Sequence, residues 1–298
     1  MRFTSRYFSL IIFGALALGF VWPAPGIWLK PYLMPLLMLM MFLSCLKMDF
    51  GSLGLALKDW WRYLIIMLFV FFVPAIFIFF FKGYLDNLVF VGLIIAAAAP
   101  SAVSSVFLSD LFGGEPPKAL LAVTLTHLVS PILMPLVIWL FVHKLVAVDF
   151  LSMLWLIVKL VAIPLFLAQL VKQFKWQAKP SHYSSTINTY LLVVLIWGII
   201  APARAVILGD LTQFVVLLVV VVFAVLLEII LSFWFGRTRR EDITLSIVDS
   251  YKNFTLSGVM ALSMFGPPAL LGSAVYSVVN NLVLIPLEWW LKRSRRSR

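Results

Sequence analysis

Cysteine is almost absent from this chain of 298 residues: the one present, Cys45, cannot build a disulfide framework or a thiolate metal cluster. Charge is scarce as well, since Asp, Glu, Lys and Arg make up 12% of the residues while 63% are hydrophobic. The mean hydropathy is +1.09. So few charges cannot solvate the surface of a soluble domain, and nearly all of the chain must lie in lipid or against other lipid-embedded segments. The sequence also lacks HExxH, GxSxG and a phosphate-cradling glycine loop, which removes the usual grounds for reading an enzyme.

The net charge of +11 would suggest nucleic acid in a soluble protein, but its distribution excludes that reading. In the "KRSRRSR" tail and the "GRTRRE" stretch the basic residues sit just outside apolar segments, where they set orientation or touch anionic lipid. The opening "MRFTSRYFSLIIFGALALGF" has Arg2 and Arg6 ahead of an apolar run, a pattern shared by a signal peptide and by the cytoplasmic flank of a first span; the second reading is adopted here.

A span needs about 20 apolar residues. The chain supplies ten candidates, at about 8-23, 31-48, 62-81, 87-108, 118-142, 150-171, 186-207, 212-235, 243-265 and 268-290, joined by short connections such as "WPAPG", "FGGEPPK", "KWQAKPSH" and "FGPP". The fold class expected is an all-α polytopic membrane protein without a soluble domain. With the N-terminus inside, 17 Lys and Arg fall on the cytoplasmic side and four (Lys30, Lys82, Lys144 and Arg204) on the other, while Lys159 and Lys252 lie within spans. This asymmetry predicts a multi-pass protein of the cytoplasmic (inner) membrane with both termini cytoplasmic.

Ten spans divide into halves, 1-149 and 150-298, and an odd-numbered half forces its copy to enter from the opposite side, an inverted repeat. Both halves interrupt their fourth span. In the first, "AAAAPSAVSSVFLS" places Pro100 and a serine cluster at membrane depth; in the second, "VDSYKNFTLSG" places Asp249, Lys252 and Asn253 there. Interrupted backbone survives at that depth only when buried in protein or lining a hydrated cavity, so matched interruptions predict a central binding site.

The polar groups expected at that site are Ser104, Ser105, Thr126, His127, Asp249, Lys252, Asn253, Asn280 and Asn281, with Thr124 and Ser130 nearby and Glu228 and Lys159 also inside spans. Ionised groups at mid-bilayer cost at least about 2.5-3.5 kcal/mol, so they seek partners. If residues 249-253 are helical, Asp249 shares a face with both Lys252 and Asn253. Hydroxyls, carbonyls and a carboxylate are the hard ligands that a small cation requires. A lysine beside helix N-termini suits an anion.

These stretches resemble the bile acid:sodium symporter family, in its bacterial branch. "GLIIAAAAPSAVSSVFLSDLFGG" and "VTLTHLVSPILMPLVIWLF" are similar to that family's fourth and fifth helices, "IVKLVAIPLFLAQLV" to its sixth, and "VDSYKNFTLSGVMALSMFG" with "YSVVNNL" to its ninth and tenth. The resemblance implies two inverted five-helix repeats, arranged as a panel and a core domain, with broken helices 4 and 9 crossing. It implies alternating-access symport of a small organic anion, bile-acid-like or another carboxylate, with Na+ or H+ as coupling ion and no other cofactor. Sodium ligands carried over fall on Ser104, Ser105, Thr126 and Asp249. A third-helix glutamine falls near Phe69, which cannot coordinate a cation, and a ninth-helix amide pair falls near Lys252 and Asn253. One sodium position therefore looks unfilled, with the Lys252 ammonium, paired to Asp249, in its place. An auxin-efflux-type, proton-coupled or uncoupled carrier is the alternative. A scaffold without transport would leave the buried charges without a purpose.

Overall fold

The computed structural model describes residues 8-48, 50, 54, 59-174 and 180-296, with side chains described for 10-48, 50, 54, 59-174, 186-283 and 286. Arg2, Arg6, Lys58, Lys175 and Lys179, which enter the charge count above, lie outside the described residues, as do the side chains of the basic tail. All regular structure among the described residues is helical; the one β-type pairing is an isolated antiparallel bridge between Ser101 and Lys252.

In chain order the helices are α1 (Phe8–Val21), α2 (Pro23–Trp28), α3 (Leu33–Cys45), α4 (Trp60–Phe79), α5 (Asn87–Ala97), α6 (Ser104–Phe112), α7 (Pro116–Val142), α8 (Phe150–Ile157), α9 (Ile163–Gln173), α10 (Pro180–Gly209), α11 (Leu211–Phe233), α12 (Arg239–Ser250), α13 (Phe254–Phe265) and α14 (Leu270–Arg296). A π-helical turn, Val158–Ala162, joins α8 to α9 into one rod. Five helices are long and apolar enough to cross a bilayer: Trp60–Phe79, Pro116–Val142, Phe150–Gln173, Thr186–Gly209 and Leu211–Phe233. Leu10–Val21, Lys30–Cys45, Asn87–Ala97 and Phe254–Phe265 are shorter apolar helices. The outward faces of the long helices carry large apolar side chains such as Leu151, Phe166 and Ile132, each more than 60% exposed, which is what hydrocarbon as solvent permits.

Local chemistry sets several ends. Pro116 and Pro117 occupy the first turn of α7, where a missing N–H costs nothing. Gly113, with φ of 81°, takes the left-handed conformation that stops α6, and Gly114 N–H then bonds back to Ser109 C=O at 2.7 Å. The Thr238 hydroxyl caps α12 by accepting from Glu241 N–H at 3.2 Å. Glu241, of the "GRTRRE" stretch, is buried in that first turn. Its carboxylate receives Arg62 at 2.9 Å, the Arg237 amide at 2.9 Å and Lys118 at 3.5 Å, fastening the α11–α12 turn to α4 and α7. Across the same end, Glu115 N–H bonds to the Thr244 hydroxyl at 2.6 Å and Arg240 to Gly114 C=O at 3.1 Å.

Packing separates the helices into two groups. α10 lies along α1, α2 and α3, with α9 also against α3; α11 packs on α4, α12 and α14, and α5 on α13 and α14. The tightest approach lies within the second group, where a Cβ on Gly92 would come within 1.9 Å of the Ala269 carbonyl oxygen and one on Gly272 within 2.3 Å of Gly92 O. Backbone rather than side chain stands in the way, so the clash cannot relax by rotamer change. Gly92→Ala is expected to lower stability by at least about 2 kcal/mol, whereas Gly14→Ala, which meets nothing within 4 Å, is neutral or stabilising; thermal unfolding of the detergent-purified proteins measures both.

Candidate ion and substrate site

Two breaks in the helices meet. Pro100 has no N–H to donate and biases Ala99 away from helical geometry, so α5 stops at Ala97 and the chain resumes helix at Ser104. The second break runs from Tyr251 to Asn253, between α12 and α13. The two extended segments lie antiparallel. Ala102 N–H donates to Tyr251 C=O at 2.8 Å, and Asn253 N–H donates to Pro100 C=O at 2.8 Å. Each interruption thus satisfies backbone groups that the other leaves free. A small apolar cluster of Ala102, Leu108, Phe112, Ile243, Ile247 and Tyr251 clamps α6 onto α12 beside the crossing. The geometry brings two helix N-termini, of α6 and α13, and two C-termini, of α5 and α12, to one place.

The charged groups at the crossing are fully enclosed. Lys252 is 0% exposed, Glu228 0% and Asp249 1%. The Lys252 ammonium pairs with Glu228 Oε1 at 2.8 Å and also donates to the Val70 carbonyl of α4. The Asp249–Lys252 pair anticipated from helical spacing does not form. Tyr251 leaves the helix, at φ −90° and ψ 90°, which destroys the spacing and turns Lys252 toward α4 and α11. Asp249 instead accepts from the Ser232 hydroxyl of α11 through Oδ2, while its Oδ1 has no hydrogen-bond partner among the described residues. Glu228 Oε2, the Tyr276 hydroxyl and both amide atoms of Asn280 are likewise buried without one. Leaving such groups dry costs several kcal/mol, so this is the most polar and least satisfied region of the interior.

The other predicted residues divide between the crossing and the helices that carry them. Ser105 reaches the Tyr251 carbonyl at 3.4 Å, and Asn281 accepts from the Tyr251 hydroxyl at 3.2 Å while donating to Ser277 C=O at 2.7 Å. Asn253 caps α13, its Oδ1 accepting from Leu256 N–H at 3.2 Å and from Thr255. On α7, Thr124, Thr126 and Ser130 turn their hydroxyls back to Leu120, Val123 and His127 carbonyls, and buried His127 engages Val123 C=O through Nδ1 at 2.9 Å. These donors are spent locally; the oxygens keep lone pairs.

Between the two groups of helices lies a cavity of about 640 Å³, of the size that holds a small organic ligand. One wall comes from α3 and α10 (Met40, Met41, Ser44, Asn188, Thr189, Leu192), the other from α6, α7 and α13 (Ser104, Val106, Phe107, Leu120, Phe254, Thr255). Exposed Lys47 and Asp110 stand at its mouth, and buried Tyr251, Lys252 and Asn253 at its inner end. A second void, of about 10 Å³, lies among Ile65, Phe69, Ser232, Phe235 and Asp249, beneath the Phe69–Phe235 ring pair at 5.1 Å. It has room for about one water. The side chains missed from sequence are Ser232 and Tyr276, together with the α3 and α10 cavity wall; Glu228 was visible as a lone acid in an apolar span, but not as the partner of Lys252.

Comparison with known proteins identifies the family. The chain is 24% identical over 310 aligned residues, covering 100% of its own length and 94% of the relative, to a protein of Bacillus subtilis (strain 168) described as an uncharacterized sodium-dependent transporter, YocS. A family model described as the SBF-like CPA transporter family matches residues 6–280. That match spans nearly the whole chain and takes in both broken helices and the crossing, so the protein belongs to the SBF-like CPA transporter family, as the resemblance of its helices to bile acid:sodium symporters implies.

Proposed function

We propose that the protein is a secondary carrier that moves a small organic anion across the cytoplasmic membrane by alternating access, coupled to one cation. In this reading the ten apolar segments span the bilayer as two inverted five-helix repeats, 1-149 and 150-298, with both termini cytoplasmic. The helices packed around α10 form the panel, those around the crossing form the core, and the substrate occupies the cavity between them. Apolar walls of Met40, Phe107, Leu192 and Phe254 with polar Ser104, Asn188 and Asn253 suit a carboxylate on a hydrocarbon frame. The unspent α6 N-terminus favours negative charge at the inner end.

The observation that carries the coupling is the enclosed Lys252–Glu228 pair beside Asp249. Two carboxylates and one ammonium leave one negative charge in a medium where it must be balanced. A sodium ion held by Asp249 with the oxygens of Ser104, Ser105 and Thr126 balances it, and the hard-ligand set is chemically apt. Lys252 supplies, as a tethered ammonium, the charge of a second ion, with Glu228 as its counterion and Val70 C=O as a further ligand; Phe69 closes the space beside it. The likeness to a protein described as sodium-dependent favours sodium over a proton at the remaining site, with Asn280, whose amide atoms have no partner among the described residues, and Asn281 as further polar groups assigned to it.

Uptake into proteoliposomes at fixed pH, with sodium replaced stepwise by choline, is expected to follow a sodium Hill coefficient of about one, rising toward two in Lys252→Gln. A wild-type coefficient near two would reject the replacement of an ion by Lys252, and indifference to sodium would reject sodium coupling. The anion itself is identified by thermal stabilisation against a panel of organic acids, with stabilisation by none of them counting against the carrier. Separately, Glu228→Gln strands a buried ammonium and is expected to cost about 3-5 kcal/mol, most of it recovered in Glu228→Gln/Lys252→Gln; equal melting temperatures for the wild type and the single variant would show that the pair is not ionic.

A further inference from the structure

Lys252 is not the only lysine at membrane depth. Lys159 belongs to the apolar Phe150–Gln173 rod, nine residues from its start, which is about 14 Å at 1.5 Å per residue. Unlike Lys252 it faces outward. It is exposed, and around it Trp155, Ile163 and Phe166 are 54%, 38% and 64% exposed, the face of a helix turned to lipid. Among the described residues no carboxylate or hydrogen-bond acceptor meets its ammonium; its contact is the face of the Trp155 indole, 5.6 Å from the ring centroid. Side chains on a helix lean toward its N-terminus, and this contact one turn back shows that Lys159 does so. Its charge is thereby carried to about 8 Å from the Phe150 end, near the level where indole rings sit at a membrane boundary.

The same face carries an acid further out. Asp149 is exposed at the head of the rod and caps it, accepting from Leu151 N–H at 3.0 Å and Ser152 N–H at 3.3 Å, and from the Ser152 hydroxyl at 2.5 Å. The Ser152 hydroxyl, then these amides, hold its carboxyl below the usual range, so it is a standing negative charge. From the surface inward the face therefore presents a carboxylate, a hydroxyl, an indole and an ammonium. The two charges are separated along the helix by about 9 Å, comparable with a headgroup layer of about 5-8 Å plus contact distances. The polarity is the complement of a zwitterionic lipid headgroup in the conformation that turns its ammonium outward from its phosphodiester.

We propose that Asp149, Ser152, Trp155 and Lys159 form a binding site for one phospholipid bearing a primary ammonium. Lys159 meets the phosphodiester, Asp149 receives hydrogen bonds from the ammonium, and Trp155 packs against the glycerol and upper acyl carbons. A lipid without an amine leaves Asp149 facing a second anion, and a quaternary ammonium cannot donate to it. The site is separate from the cavity and independent of the transport reading.

The test uses the full chain, delipidated in detergent and offered phosphatidylethanolamine, phosphatidylglycerol or phosphatidylcholine of matched acyl chains, with bound lipid counted by native mass spectrometry. Wild type is expected to retain one phosphatidylethanolamine about tenfold more strongly than either other lipid. Lys159→Leu, which suits a lipid-facing helix and should melt like wild type without lipid, loses retention of all three. Asp149→Asn, which still caps α8, keeps retention but binds the ethanolamine and glycerol lipids equally. Equal retention of the three lipids by wild type, or an undiminished ethanolamine preference in Lys159→Leu, overturns the site. Conversion of a dimer to a monomer by Lys159→Leu in size-exclusion chromatography also overturns it, assigning the face to a second copy of the chain.

Discussion

Hydrocarbon gives a peptide group nothing to bond to, and that constraint organises this protein. Two helices stop inside the protein, near Pro100 and at Tyr251, and each strands amides and carbonyls in a largely apolar interior. The antiparallel crossing, with Ala102 bonded to Tyr251 and Asn253 to Pro100, makes each break the remedy for the other. Neither could exist alone at this depth without a comparable partner. The close approach of Gly92 to Ala269 and Gly272, the α6–α12 clamp and the polar fastening at Glu241 all hold the two broken helices in the one register at which those bonds close.

Once the crossing exists, polar groups can be placed around it. Lys252 sits in the break rather than on a helix, so its side chain is free to turn away from Asp249 toward Glu228 and the Val70 carbonyl. The ion pair is not a device for stability, since apolar residues of the same volume would serve as well or better. In the proposed mechanism it serves as a fixed charge beside the coupling ion. The unpartnered oxygens of Asp249 and Glu228, and the amide of Asn280, leave the neighbourhood incompletely satisfied, which is compatible with the ion site proposed above.

Two lysines in apolar surroundings reach opposite solutions. Lys252 is enclosed and meets a carboxylate of its own chain; Lys159 is exposed and, among the described residues, meets an indole. The burial that makes the first a component of the interior leaves the second dependent on the bilayer. Hydropathy alone registers both as the same irregularity.

How much of this was legible in the sequence follows from the range of the interactions. Helical content, membrane residence and the two interruptions were readable because hydropathy, a missing proline N–H and a run of polar residues in an apolar stretch are local signals; Pro100 removes a donor near the end of α5, although Pro131 and Pro135 remain inside α7, so the proline alone does not dictate the stop. The hydroxyls of Thr126 and Ser130 behave as local residues too, bonding to carbonyls three positions back. Glu228, Asp249 and Lys252 could be recognised as intramembrane charges, but not paired. The partners of Lys252 lie 24 residues away at Glu228 and 182 away at Val70, and helical spacing pointed to Asp249 because it assumes that the helix continues. Tertiary structure alone decided that it stops, since only the other broken helix could accept the backbone groups set free. The cavity has the same origin: its walls come from α3, α6, α7, α10 and α13, and no local pattern records which apolar faces will be left apart when the two groups of helices pack.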